Sequence, residues 1–129
     1  MRIEHVAIWT GNLSRLASFY ETYFQASVGR RYVNPARQFV SVFLTFEGRA
    51  RLELMQMPTV ALRSPAEEPL STGYAHVAFS TGSPEAVDAL TTRLQADGYD
   101  VLDGPRRTGD GYYESVVLDC DGNRIEITI

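Results

Sequence analysis

With 129 residues, 44% of them hydrophobic and 22% charged, the chain has the size and composition of one ordinary globular domain, with little room for a second independent core. A formal net charge of −4 argues against a general nucleic-acid binder, and because all 12 basic residues are arginine, lysine-nucleophile and Schiff-base chemistry are excluded. The single cysteine, Cys120, excludes an internal disulfide and a thiolate metal site, and with no signal-peptide or membrane-span pattern the expected location is the cytoplasm.

Residues 2–10 alternate as a strand does, and residues 13–25 carry Leu13, Leu16, Ala17, Tyr20 and Phe24 at helical spacing behind Asn12, a suitable N-cap. Strand-like runs follow near 28–34, 38–46 and 50–57. Segment 58–73, with Pro58, Pro65, Pro69 and Gly73, reads as a connector. A strand near 74–81 then leads to Ser83-Pro84, a cap followed by proline at the first helical position. Val87, Leu90 and Leu94 mark one face of the helix, which stops near Gly98, and strands near 99–103, 112–119 and 123–129 complete the chain. The expected fold is α+β: a single domain, 1–129, of two tandem β-α-β-β-β modules, about 1–57 and 74–129, forming a curved mixed sheet around a metal site.

The two halves repeat one another. Glu4-His5-Val6-Ala7-Ile8 matches Ala75-His76-Val77-Ala78-Phe79, and Arg51-Leu52-Glu53-Leu54 matches Arg124-Ile125-Glu126-Ile127. The histidines lie 71 positions apart and the glutamates 73, so the His-to-Glu separation is nearly the same in each half. Alternation places His5, Glu53, His76 and Glu126 on the strand faces turned away from the aliphatic residues, so a sheet curled with its helices outside aims all four inward. A lone strand histidine more often hydrogen-bonds in a core, and a lone inward glutamate more often pairs with an arginine such as Arg51 or Arg124. Four in repeated positions point instead to one divalent ion, and two imidazoles with two carboxylates suit Zn, Ni, Co, Mn or Fe(II) with positions left open for substrate.

This arrangement resembles the vicinal oxygen chelate superfamily, which includes glyoxalase I, methylmalonyl-CoA epimerase, extradiol dioxygenases and the fosfomycin and bleomycin resistance proteins. The resemblance spans essentially the whole chain. Its most specific piece is Asp119-Cys120-Asp121-Gly122-Asn123-Arg124-Ile125-Glu126, where Cys120 stands in the usual proline position. The His-Glu-His-Glu set is similar to that of glyoxalase I (lactoylglutathione lyase). It implies a metal-dependent lyase or isomerase in which the ion holds two vicinal substrate oxygens while a glutamate, Glu126 first and Glu53 second, shuttles a proton. The alternatives implied are an epimerase or dioxygenase, or a protein that sequesters a drug or metabolite. The implied partners are a small molecule with vicinal oxygens and a second copy of the chain in a homodimer, with neither nucleic acid nor membrane.

Family glyoxalases keep an arginine shortly after the first histidine and an asparagine just past the first glutamate. This chain has Val6-Ala7-Ile8-Trp9 and Met55-Gln56-Met57 there, which counts against glutathione as the thiol. Trp9, Phe39, Phe43 and Met55 on the inward face suit a flatter or greasier substrate, ordinary sheet lining being the plain alternative. Arg106-Arg107 and Tyr112-Tyr113, set among Gly104, Gly109 and Gly111, read as a loop or lid from which Arg107 and Tyr113 could close over an anionic substrate, an ordinary solvated loop being the plainer reading.

Overall fold

A computed structural model describes residues 1–48, 50–61 and 72–129, and the chain divides into two units, 1–63 and 64–129. In the first unit, strand β1 (His5–Trp9) sets Val6 and Ile8 against the more exposed His5, Ala7 and Trp9, then leads into helix α1 (Leu13–Phe24). The Asn12 side chain accepts the Arg15 N–H, as expected of an N-cap, and Leu13, Leu16, Ala17, Phe19 and Tyr20 are buried. The strand expected at 28–34 is broken into β2 (Ser27–Val28) and β3 (Tyr32–Asn34), both antiparallel to β4 (Phe39–Thr45). At the break the Gly29 N–H bonds to Phe43 O at 2.9 Å, and a Cβ at Gly29 would stand 3.0 Å from that oxygen. A 3-10 turn, Pro35–Arg37, capped by Asn34, carries the chain from β3 to β4.

Strand β5 (Arg51–Gln56) lies antiparallel to β4 and parallel to β1, giving the order β1-β5-β4-β2 with β3 also on β4. Val42, Leu44, Leu52 and Leu54 are buried on the face packed against α1, each contributing roughly 1.5–3 kcal/mol of burial. The Gln56 side chain accepts the Leu13 N–H at 2.9 Å and donates to Gly11 O, tying the start of α1 to the end of β5.

The second unit repeats the plan with one fewer break. Strand β6 (Val77–Ser80), helix α2 (Pro84–Ala96), β7 (Val101–Arg107), β8 (Tyr113–Leu118) and β9 (Arg124–Thr128) form a sheet of order β6-β9-β8-β7. Pairs β6–β9 and β1–β5 are parallel, and the rest are antiparallel. Ser83 accepts the Ala86 N–H and Pro84 opens α2, as the sequence predicts. Val87, Leu94, Val117, Ile125 and Ile127 form its core. Within that core the Thr91 hydroxyl donates to Val87 O at 2.7 Å, which leaves Ser115 to donate to Thr91 at 2.6 Å.

The fold is thus α+β, with a β-α-β-β-β module in each unit and a separate mixed sheet in each. The expected connector 58–73 is described only at 58–61 and 72–73, so Pro65 and Pro69 lie outside the described residues. The strand expected near 99–103 runs on to Arg107, with irregular pairing between Val101 and Arg106. Gly104, read from sequence as a loop glycine, lies inside β7 at φ 76°, where a Cβ would meet Glu114 O at 2.5 Å. Among the described residues no helix is long and apolar enough to cross a membrane.

Candidate functional site

In each sheet the first and last strands of the module run parallel, and their register brings a histidine and a glutamate to one face. Ala7 pairs with Glu53 and Ala78 with Glu126, so in both units the histidine sits two residues before the partner of the glutamate. His5 Nε2 lies 3.8 Å from Glu53 Oε2, and His76 Nε2 lies 3.2 Å from Glu126 Oε2. His5 opens β1, whereas His76 directly precedes β6. Among the described residues no three His, Cys, Asp or Glu side chains converge, so the four expected ligands come as two pairs.

The surroundings of the two histidines differ. Nδ1 of His5 is 2.5 Å from Glu4 Oε2, and Glu4 also receives the Arg51 guanidinium. The hydrogen bond from His5 holds the Glu4 carboxyl below its ordinary range, and Arg51 adds to the effect. The Glu4 carboxylate accepts from Nδ1–H of His5, which leaves Nε2 facing Glu53. Donors each about 2.1 Å from a shared ion stand roughly 3.0–3.4 Å apart, so the 3.2 Å pair matches that spacing and the 3.8 Å pair lies slightly outside it. Imidazole and carboxylate are also donors that first-row divalent ions accept, so the donor types of both pairs suit a metal and the spacing of the second pair does too.

Glu4 escaped the sequence reading, although an acid directly before a candidate histidine was visible, because exposed Glu4 and His5 have neighbouring backbones with opposite nominal directions. Its counterpart in the second unit is Ala75, which cannot play that part. Replacing Glu4 with alanine is therefore expected to shift metal-free His5 from mainly the Nδ1–H tautomer to mainly Nε2–H, as read from its ring ¹⁵N shifts. Unchanged shifts would show that Glu4 does not set the tautomer.

Trp9, Phe43 and Met55 do lie on the His5–Glu53 face: Trp9 pairs with Met55 and Phe43 with Glu53. The Phe43 ring stands edge-on to His5 at 5.3 Å, with the Arg51 guanidinium 4.2 Å from its centroid. Tyr113 and Arg107 do not join a lid. They open β8 and end β7, pair with each other across the hairpin, and place the Arg107 guanidinium 5.8 Å from the Tyr113 ring. The Tyr113 hydroxyl donates to Asp88 Oδ1 of α2 at 2.7 Å, so both residues take the helix-facing side of the sheet. That bond raises the Tyr113 phenol above its usual value.

Their neighbours Glu114 and Arg106 occupy the other side. Glu114 and Val116 alternate with Tyr113 and Ser115, and Val116 pairs with Glu126. Burial and then the nearby Glu126 charge raise the Glu114 carboxyl. Arg106 bonds Asp103 at 2.5 Å and approaches Glu114 Oε1 at 3.9 Å. Arg106 was hidden by the assignment of 106–107 to a loop, and Glu114, inside the strand expected near 112–119, carried no signal that singled it out.

The Asp119–Asn123 turn delivers β9 and with it Glu126. Asp119 Oδ1 accepts the N–H groups of Asp121 and Asn123, and Oδ2 accepts the Asn123 side-chain amide, all at 2.9 Å. Burial pushes the Asp119 carboxyl up, against the pull of these donors. Asp119→Ala strands three donors around a buried site and is expected to destabilise the fold by roughly 2–4 kcal/mol, measured by urea unfolding. A loss under about 0.5 kcal/mol would show that water replaces the carboxylate.

A sequence model of the Glyoxalase/Bleomycin resistance protein/Dioxygenase superfamily matches residues 2–127. No curated protein sequence matches the chain. Among solved structures, glyoxalase I of Leishmania major is 24% identical with a TM-score of 0.76, over 99% of this chain and 86% of that one, which establishes likeness of fold. A glyoxalase family protein from Enterococcus faecalis is 25% identical with a TM-score of 0.79, over 99% and 97% of the two chains. Lactoylglutathione lyase from Agrobacterium tumefaciens is 25% identical with a TM-score of 0.68, over 98% and 92%.

Proposed function

Since the chain belongs to the Glyoxalase/Bleomycin resistance protein/Dioxygenase superfamily, we propose that it is a metal-dependent lyase or isomerase of the glyoxalase type, in which His5 and Glu53 of one subunit and His76 and Glu126 of the other subunit of a homodimer hold one divalent ion. The observation that carries this reading is the repeated pair, with the same residue types in the same parallel register in both units. An ion held there would supply Lewis-acid chemistry, stabilising negative charge that develops on the substrate's oxygens. Glu126 takes the proton from the carbon beside the carbonyl and returns it to the neighbouring carbon, with Glu53 as second choice for that role. Glu4 keeps His5 oriented with Nε2 toward Glu53. Assembly as a homodimer is part of the same proposal. The intact pairs speak against simple sequestration, for which paired acceptors would have no use.

An activity screen tests the reading: protein reconstituted in turn with Ni, Co, Zn and Mn, offered hemithioacetals of methylglyoxal with several thiols. The Leishmania enzyme is described as trypanothione-dependent, so the thiols include trypanothione beside glutathione. Metal-dependent turnover with any of them is the expected result. No turnover with any metal and thiol, alongside tight binding of a planar aromatic compound, would replace this reading with sequestration.

A further inference from the structure

We propose that the sheet face beyond the His5–Glu53 pair is a specificity subsite for a flat aromatic group bearing a negative charge, with Arg37 as its counter-ion. The inference rests on placing His5 and Glu53 at the reaction centre, and it names the class of substrate that centre takes. An open pocket of about 400 Å³ is lined by Trp9, Tyr32, Phe39, Met55 and Met57, with Asn34 and Arg37 at its polar side. The Trp9–Met55 pair lies two strand positions past Ala7–Glu53 on the same face, roughly 7 Å along the sheet. A ligand spanning that distance keeps its oxygens at the pair and its apolar body over Trp9 and Met55.

Three observations specify the occupant. The first is that Trp9 and Tyr32 are 44% and 57% exposed yet clustered: Phe39 meets Trp9 edge-on at 6.1 Å and Tyr32 at 6.2 Å. Clustered exposed aromatics mark a binding surface where single ones do not. The second is the lining itself, since aromatic rings and two methionines suit a flat, polarisable group. The third is Arg37. Its backbone is fixed, because the Arg37 N–H donates to Asn34 Oδ1 and the Gln38 N–H closes on Pro35 O. Among the described residues its guanidinium has no acidic partner, so a planar, permanently charged fork stands free beside an apolar pocket. A carboxylate or similar anion on the ligand satisfies it.

Trp9 is the single tryptophan, so its indole N–H gives one unambiguous resonance in ¹⁵N-labelled protein. Metal-free protein is titrated with phenylacetate and with neutral phenylacetamide. Phenylacetate is expected to shift the indole signal saturably and to bind at least about fivefold more tightly than the amide. Arg37→Gln should abolish that preference, and Arg37→Lys should retain part of it. No saturable shift, equal affinity for acid and amide, or an undiminished preference in Arg37→Gln would overturn the proposal. So would an indole signal that moves with protein concentration and ignores phenylacetate, which would assign the patch to a second copy. The probes lack vicinal oxygens and the protein carries no metal, so failure here leaves the tests of metal and turnover standing, and the converse holds.

Discussion

Glu126→Gln is expected to lower turnover per bound ion by roughly 10²–10⁴-fold while leaving KM within a few-fold, the signature of a lost proton carrier. The substitution preserves shape and removes the basic oxygen. The backbone at 126 is held independently of that side chain, because Ile125 and Ile127 on either side are fully buried in the core under α2. Glu126 also sits 3.2 Å from His76, so its loss can loosen the ion, and activity must be divided by metal content measured on the same sample. Glu53→Gln is the matched control. A larger loss in Glu53→Gln would move the base to the first unit, and turnover undiminished in both would remove carboxylate proton transfer from the mechanism.

Metal stoichiometry carries the other large effect. Elemental analysis after mild dialysis is expected to find about one divalent ion per set of His5, Glu53, His76 and Glu126, and His5→Ala or His76→Ala to lose it. Removing an outer-shell partner of a metal ligand weakens binding roughly 10–100-fold, and removing the ligand itself should do more. Two ions per chain would mean that each pair binds on its own, which the 3.2 Å spacing permits and the 3.8 Å spacing permits only once that pair closes slightly. Equal and negligible metal in wild type and variants would end the metal reading. Glu4→Ala should fall between wild type and His5→Ala, because it leaves the ligand and removes only its orientation.

Much of this site is legible in the sequence. Both helices start where Asn12 and Ser83 place them, because an N-cap side chain satisfies N–H groups only three residues away. The histidines and glutamates share a face opposite the aliphatic residues, as alternation implies. The errors came where a strand continued through residues that normally end one. Gly104, Gly109 and Gly111 suggested a loop, yet β7 carries on to Arg107 by pairing irregularly with β8, which flips the roles of adjacent residues. Arg106 and Glu114 turn to the His76–Glu126 side, and Arg107 and Tyr113 turn to α2.

The repeat, the spacing and the strand alternation were therefore properties of the sequence alone, since each depends on contacts no more distant than the next few residues. Which partners the side chains take depended on strands from distant parts of the chain lying side by side. Glu4 meets Arg51 only because β1 and β5 are parallel neighbours, and Tyr113 meets Asp88 only because α2 crosses β8. The pocket of Trp9, Tyr32, Phe39 and Met55 likewise exists only once β1, β3, β4 and β5 share one sheet. Local spacing constrains the direction in which a side chain leaves its strand, whereas its partner is chosen by sheet register, which closes over tens of residues.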